Sequence, residues 1–235
     1  MDEHSRKVFP TIALSYGFGE AVHLGFLECE EDTVIDSTVL FQGSSDKPIL
    51  IGSKAEIGPG CVIRQGSFIG SEARLDPHTF IQENCVVGSG TFIGHGCTLR
   101  PETHIGNRCI IGHGTVFEGV SHVGDDSLIH AQNHITKGVL IGRGVFIAPM
   151  FVGANDPVMA HGRRHLFDNY FNPYVIEDGV RIAVGVTIVS GIKLGKNCVI
   201  GAHALVTKDV PPNEIWVGLP ARKVGEVPEK ERLSW

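Results

Sequence analysis

The chain has 235 residues, 42% of them hydrophobic and 20% charged, with 30 glycines and a formal net charge of −6. This is enough apolar content for a large buried core, and the acidic balance speaks against a nucleic-acid or anionic-membrane partner. No uncharged apolar run reaches about eighteen residues, so no transmembrane helix is expected.

Residues 1–26 carry no repeat and contain Tyr16, Phe18 and Phe26. They are expected to cap the end of whatever follows, since an open sheet end exposes unpaired strand edges. Met1-Asp2-Glu3-His4 is acidic and lacks a signal peptide's apolar core, which gives a cytoplasmic expectation. A weak pattern at Val34, Val39 and Ile49 suggests an imperfect first coil.

From Ile51 an aliphatic residue recurs at every sixth position: Ile57, Ile63, Ile69, Leu75, Ile81, and so on to Ile147, with Phe117 in the same column. Helices need a period near 3.6 and strands a period of 2. A six-residue period fits a parallel β-coil whose short flat sides each place one large apolar residue inward and then turn. Four residues after each aliphatic stands a small or β-branched residue, from Ala55, Cys61 and Ser67 to Thr115, suited to a crowded inner corner. Cys61, Cys85, Cys97, Cys109 and Cys198 fall in this column and read as compact buried hydrophobes. No CxxC pair supports a zinc ribbon or a disulfide framework.

The period breaks after Ile147 and resumes at Ile176, 29 residues on, running through Ile182, Ile188, Leu194 and Ile200 to Val206. A loop therefore projects over residues 153–175, and it concentrates polar, cationic and aromatic groups; long excursions of this kind are more often functional than neutral. The helical body is expected over 27–210. A C-terminal tail follows over 211–235, begun by the strand-stopping Pro211-Pro212, and its polar last part, Glu226 to Trp235, is expected to be helical or frayed.

This repeat pattern resembles the hexapeptide-repeat acyltransferase superfamily. The resemblance implies an all-β fold, a left-handed parallel β-helix of triangular section with three hexapeptides per coil, so that residues eighteen apart stack. The handedness comes from the resemblance, since it departs from the usual right-handed crossover. The segment 182–191 and the ending Val-Thr-Lys-Asp-Val-Pro-Pro…Gly-Leu-Pro-Ala-Arg resemble the acetyl-CoA-binding end of sugar, serine and xenobiotic acetyltransferases. By that resemblance Gly185, Val186 and Ala204 line the pantetheine path between subunits of a homotrimer, and Lys208, Pro220, Arg222 and Lys223 meet the nucleotide end.

The acceptor side is read from stacking. His134 precedes an inward Ile135, so it points outward, and one coil on it reaches Val152 at the root of the loop; a neutral imidazole there can act as a base. Gln132-Asn133-His134-Ile135, Val145–Pro149 and Ala154-Asn155-Asp156 resemble the acceptor region of nucleotide-linked amino-sugar N-acetyltransferases. That implies Asn155 and Asp156 as orienting groups, Gln132 and Asn133 as acceptor contacts, Arg163 and Arg164 toward a pyrophosphate, and Phe167 and Tyr170 stacking on a base or sugar. Gly153-Ala154-Asn155 also resembles the xenobiotic acetyltransferase loop. The histidine that follows there, and the His-Pro of galactoside and maltose O-acetyltransferases, are replaced by Asp156-Pro157. The expected reaction is therefore acetyl transfer from acetyl-CoA to an amino group of a nucleotide-linked sugar; His161 or His165 can substitute as base, which keeps O-acetylation open as the alternative. The histidine pattern of hexapeptide carbonic anhydrases is missing, so no metal is expected, although His95 and His113 stand eighteen apart. A non-catalytic scaffold is the remaining class.

Overall fold

The computed structural model describes residues 14–168 and 170–234, apart from the side chains of His161 and Gly162. Residues 1–13 of the expected cap lie outside that range. The described part of the cap is a short helix, Phe18–His23, whose buried Ala21 sits beside Phe26 on the first coil.

The body is a left-handed parallel β-helix. Among the described residues its strands fall into two nine-stranded sheets and one eleven-stranded sheet, and up to Val206 each strand pairs with the strand three further along the chain. The pairing follows the eighteen-residue stack: Val86 on His104, His104 on His122, His122 on Leu140. The first coil is wider, with Leu27 pairing to Ile49. Its inward residues are Leu27, Ile35 and Phe41; Val34, read from sequence as part of this coil's pattern, faces solvent.

Every residue of the aliphatic column is buried, from Ile51 to Ile147 and from Ile176 to Val206. The small column is equally buried, and most of its hydroxyls are satisfied across coils, while Thr103 donates to the Arg100 carbonyl on its own coil. Ser67 Oγ donates to the Gln82 carbonyl at 2.8 Å, Thr91 Oγ1 to Gly106 at 2.7 Å and Ser127 Oγ to Gly142 at 3.0 Å. A hydroxyl at the inner corner thus ties its own coil to the next turn at no cost in orphaned donors.

The insertion is located by register. Val123 pairs with Ile141 eighteen residues on, but Ile141 pairs with Ile176, thirty-five on, so seventeen residues are added to one coil. The tail differs from the sequence expectation. Pro211-Pro212 do not end the sheet: Glu214–Gly218 returns to pair parallel with Val199–Ile200, and Ala221–Glu226 folds back on it as an antiparallel hairpin. Prolines occupy the turn, where a missing N–H costs nothing, and the hairpin covers an otherwise open sheet end.

Candidate functional site

The loop is fastened to the coil by a substitution in the core. Gly153 occupies an inward position of the nine-stranded sheet that carries Ile135, Ile188 and Val206 (the third sheet), one coil above Ile135 and below Ile188. The space an aliphatic side chain would fill is taken by Tyr174, wholly buried at the loop's far end. A Cβ on Gly153 would lie within 2.0 Å of the Tyr174 ring. The ring meets Phe151 edge-on at 5.6 Å, and its hydroxyl comes up against Thr136 without a well-formed hydrogen bond. Burial pushes the phenol pKa up. Both legs of the loop are therefore drawn into one coil. They are also stitched together, since Asn172 N–H donates to the Asn155 carbonyl at 2.7 Å.

At this root stands His134. It faces outward on the strand His134–Ile135 and pairs with Val152, as the stacking argument requires. Its Nε2 lies 3.0 Å from Glu118 Oε1, with both side chains part-exposed. Glu118 is a residue that sequence reasoning missed. The available signal was its place sixteen residues before His134, just past an inward Phe117, on the neighbouring coil. Beside the pair runs a groove of about 350 Å³ lined by Arg100, Pro101, Glu102, Glu118, Val120 and Lys137. On the next coil Asn155 donates from Nδ2 to the Lys137 carbonyl at 3.1 Å. Phe171 lies over Gly138.

Of the residues expected around the acceptor, His134 and Asn155 both stand at the loop root, and others are engaged elsewhere. Asn133 is not an acceptor contact: it is buried in the small column, its amide donating to the His130 carbonyl and accepting from Phe151 N–H, both at 2.7 Å. Asp156 folds the loop instead of facing a ligand. Its two oxygens accept from Val158 N–H at 2.9 Å and Ala160 N–H at 2.8 Å. Burial alone would raise its pKa, but these backbone donors and the Arg164 charge outweigh it and hold the carboxyl below its ordinary value. Gln132 is exposed at a corner with φ 57. Arg163, Arg164 and Phe167 are exposed along a 3-10 turn, His161–Leu166, and Arg164 stacks over Tyr170 at 5.2 Å. The His161 side chain lies outside the described part.

On the expected cofactor side, Gly185, Val186 and Ala204 do share one corner, at the entry to the third sheet. The Val186 and Ala204 side chains are buried there, and the Gly185 and Ala204 N–H groups donate to the Pro149 and Gly201 carbonyls. Gly185 has φ 67 and sits against His203 one coil on. Lys208 and Pro220 are exposed, and Arg222 Nη1 donates to the Ala221 carbonyl at 2.8 Å. Lys223 is not a free phosphate contact: it pairs with Glu214 at 2.8 Å and Glu226 at 3.2 Å, and these hydrogen bonds raise its pKa.

The other histidine stacks are present but carry no third ligand. His95 and His113 stack at 4.8 Å, and His104 meets His122 edge-on at 4.6 Å. Among the described residues no group of three metal-ligating side chains occurs, and no helix is long and apolar enough to cross a membrane.

A family model, bacterial transferase hexapeptide (six repeats), matches residues 84–119 and 173–208. These are two stretches of the repeat whose stacking has just been described. Over these two stretches the chain is similar to the hexapeptide-repeat transferases. Among curated proteins it is similar to galactoside O-acetyltransferase of Escherichia coli (strain K12), 36% identical over 95 residues, 40% of this chain and 47% of that protein. It is also similar to 2,3,4,5-tetrahydropyridine-2,6-dicarboxylate N-acetyltransferase of Staphylococcus aureus (strain JH9), 31% identical over 93 residues, 40% of this chain and 33% of that protein. The chain thus spans half or less of the length of these two relatives. Among solved structures, UDP-N-acetylglucosamine O-acyltransferase of Moraxella catarrhalis RH4 aligns over 86% of this chain and 76% of that one, with a TM-score of 0.50 and 18% identity. That likeness is one of fold.

Proposed function

We propose that this hexapeptide-repeat protein transfers an acyl group, acetyl first, from acyl-CoA to a hydroxyl acceptor, with His134 as general base. The observation that carries the reading is the His134–Glu118 pair at 3.0 Å beside a groove at the loop root. An alcohol is a weak nucleophile until its proton is removed, whereas a neutral amine attacks unaided. A histidine held by a carboxylate is what the first case needs. Glu118 accepts from Nε2–H, which fixes the tautomer and leaves the Nδ1 lone pair for the acceptor. In the transfer, the acceptor O–H proton passes to Nδ1 as its oxygen bonds to the thioester carbonyl carbon. The C–S bond then breaks, the thiolate takes the proton, and free CoA leaves. Glu118 stabilises the imidazolium in between. The acetyltransferase relatives support the reaction class.

N-acetylation of a nucleotide-linked amino sugar is the second reading. It is favoured by the exposed Arg163 and Arg164 and by Tyr170 beneath Arg164 on the loop. For CoA, the reading uses the corner of Gly185 and His203 with Lys208 and Arg222, and a neighbouring subunit of a homotrimer as the other wall. It requires a compartment that supplies acyl-CoA, which the cytoplasm does. The test is CoA thiol release from acetyl-CoA with matched hydroxyl and amine acceptors. The reading expects hydroxyl acceptors to turn over with a rate that depends on His134; turnover of amines alone would move the account to the second reading. Light scattering tests assembly, with three times the 25.3 kDa chain mass expected.

A further inference from the structure

We infer that the groove between Arg100 and Lys137 is an oxyanion subsite that holds a carboxylate or phosphate group of the acceptor. The inference rests on the acyl-transfer reading for the word acceptor; the anion site itself rests on the following geometry.

Arginines on this coil are paired. Arg64 meets Glu83 at 3.0 Å, Arg74 meets Asp76 at 3.2 Å, Arg108 meets Asp126 at 2.7 Å, Arg143 meets Asp178 at 3.9 Å and Arg181 meets Glu231 at 2.9 Å. In the Arg108 case the partner stands eighteen residues on, directly above in the stack. Arg100 has a carboxylate in that same place, Glu118, but Glu118 is turned to His134. Among the described residues Arg100 has no ion pair, and neither has the Lys137 side chain. Both are exposed and both line the groove.

The hollow between them has a structural origin. Pro101, residue 119 and Lys137 form one column through three coils. The middle place is Gly119, at φ 102, where a Cβ would lie 2.7 Å from the Pro101 carbonyl oxygen. The coil closes tightly there and places no side chain at residue 119; the other charged groups lining the groove are Glu118, engaged by His134, and Glu102. Val120, next along, is held at φ 50, a conformation that a β-branched residue rarely adopts. Glu102 and Gly138, on the coils below and above, turn the same corner with positive φ, so the chain is held to this path through all three coils. An oxyanion set here would meet a planar guanidinium from one coil and an ammonium two coils above, next to the base. A carboxylate and a phosphate share this chemistry.

Calorimetry on the full chain with inorganic pyrophosphate and with malonate tests the site without any transfer chemistry. Binding of at least one probe is expected, weakened about 10-fold or more by Arg100→Gln and by Lys137→Gln, with Arg100→Lys intermediate. Pyrophosphate alone binding assigns a phosphate-bearing acceptor, and malonate alone a carboxylate-bearing one. Neither probe binding, or binding untouched in Arg100→Gln, overturns the subsite. Acceptor pairs give the second arm: glucosamine 6-phosphate against glucosamine, and serine against ethanolamine. In Arg100→Gln the kcat/KM ratio of charged to neutral member should fall about 10-fold or more for the pair whose probe binds. An unmoved ratio contradicts the inference. Anion binding lost in Arg100→Gln, with no CoA release from any acceptor in wild type, would leave the subsite standing and remove the transfer reading. CoA release with no anion binding would do the reverse.

Discussion

Tyr174 and Gly153 are predicted to be one structural unit, in which a side chain from the loop replaces a missing side chain of the coil. Tyr174→Ala empties a wholly buried aromatic site and should cost about 3–5 kcal/mol, the usual range for a large aromatic removed from a core. Gly153→Ala alone should also be severely destabilising, because its Cβ would stand 2.0 Å from the Tyr174 ring and would drive it out. The double variant Gly153→Val/Tyr174→Ala restores the column between Ile135 and Ile188 and should recover about 1.5–3 kcal/mol of the loss, the worth of burying a valine. It leaves the loop untied. Urea unfolding of the single and double variants, at one protomer concentration, measures the coupling. Tryptic cleavage at Arg163 and Arg164 reports loop release, which should be fast in the double variant although its coil is stable. A double variant no more stable than Tyr174→Ala, or a Gly153→Ala protein indistinguishable from wild type, would refute the unit.

The cysteines should be chemically silent in the folded state: burial pushes Cys85 and Cys97 to about 11 and Cys198 to about 12, so at pH 8 on the order of a thousandth or less is thiolate. Ellman's reagent should find six thiols in urea and at most the part-exposed Cys29 without it; fast native reaction of several would contradict the packing. Asp156 has a folded pKa below its ordinary value, so its support for the loop is complete above the ordinary carboxyl range and is lost as pH falls through the lowered value. Loop protection followed by hydrogen exchange should decline only in that acidic window, and Asp156→Ala should abolish the pH dependence. Gly185→Trp should fail to fold, since φ 67 and the adjacent His203 leave no place for a side chain. Ala202→Trp, on an exposed position of the same corner, should fold and weaken acetyl-CoA binding about 10-fold or more. Unchanged affinity by calorimetry would move the cofactor elsewhere.

The coil was legible because its cause is local: one inward residue and one small corner residue per six, repeated, leave no other way to bury the column. Handedness was not in the spacing. The loop's position was legible from the broken period, but its fastening was not, although Gly153 at an aliphatic place was the visible sign. The place of His134 at the loop root was legible because stacking by eighteen carries an outward residue to a predictable neighbour. Glu118 was missed because a carboxylate at a corner looks like any solvated charge until a partner is placed beside it. Asn133 and Asp156 were misread for a related reason. Polar side chains near a site are often spent on the backbone, and motif spacing does not reveal which. The tail was misjudged by treating two prolines as an end, when they formed a turn into another strand.

Acyl transfer through His134 is tested most directly by kcat/KM against pH for wild type, His134→Ala, Glu118→Gln and His161→Ala, scored by CoA release with the best hydroxyl acceptor. Loss of the base should cost about 10²–10⁴-fold. Glu118→Gln, which keeps the shape but removes the charge behind the imidazole, should cost less and alter the pH profile, and His161→Ala should stay close to wild type. A fully active His134→Ala beside a dead His161→Ala would place the base on the loop and contradict the account.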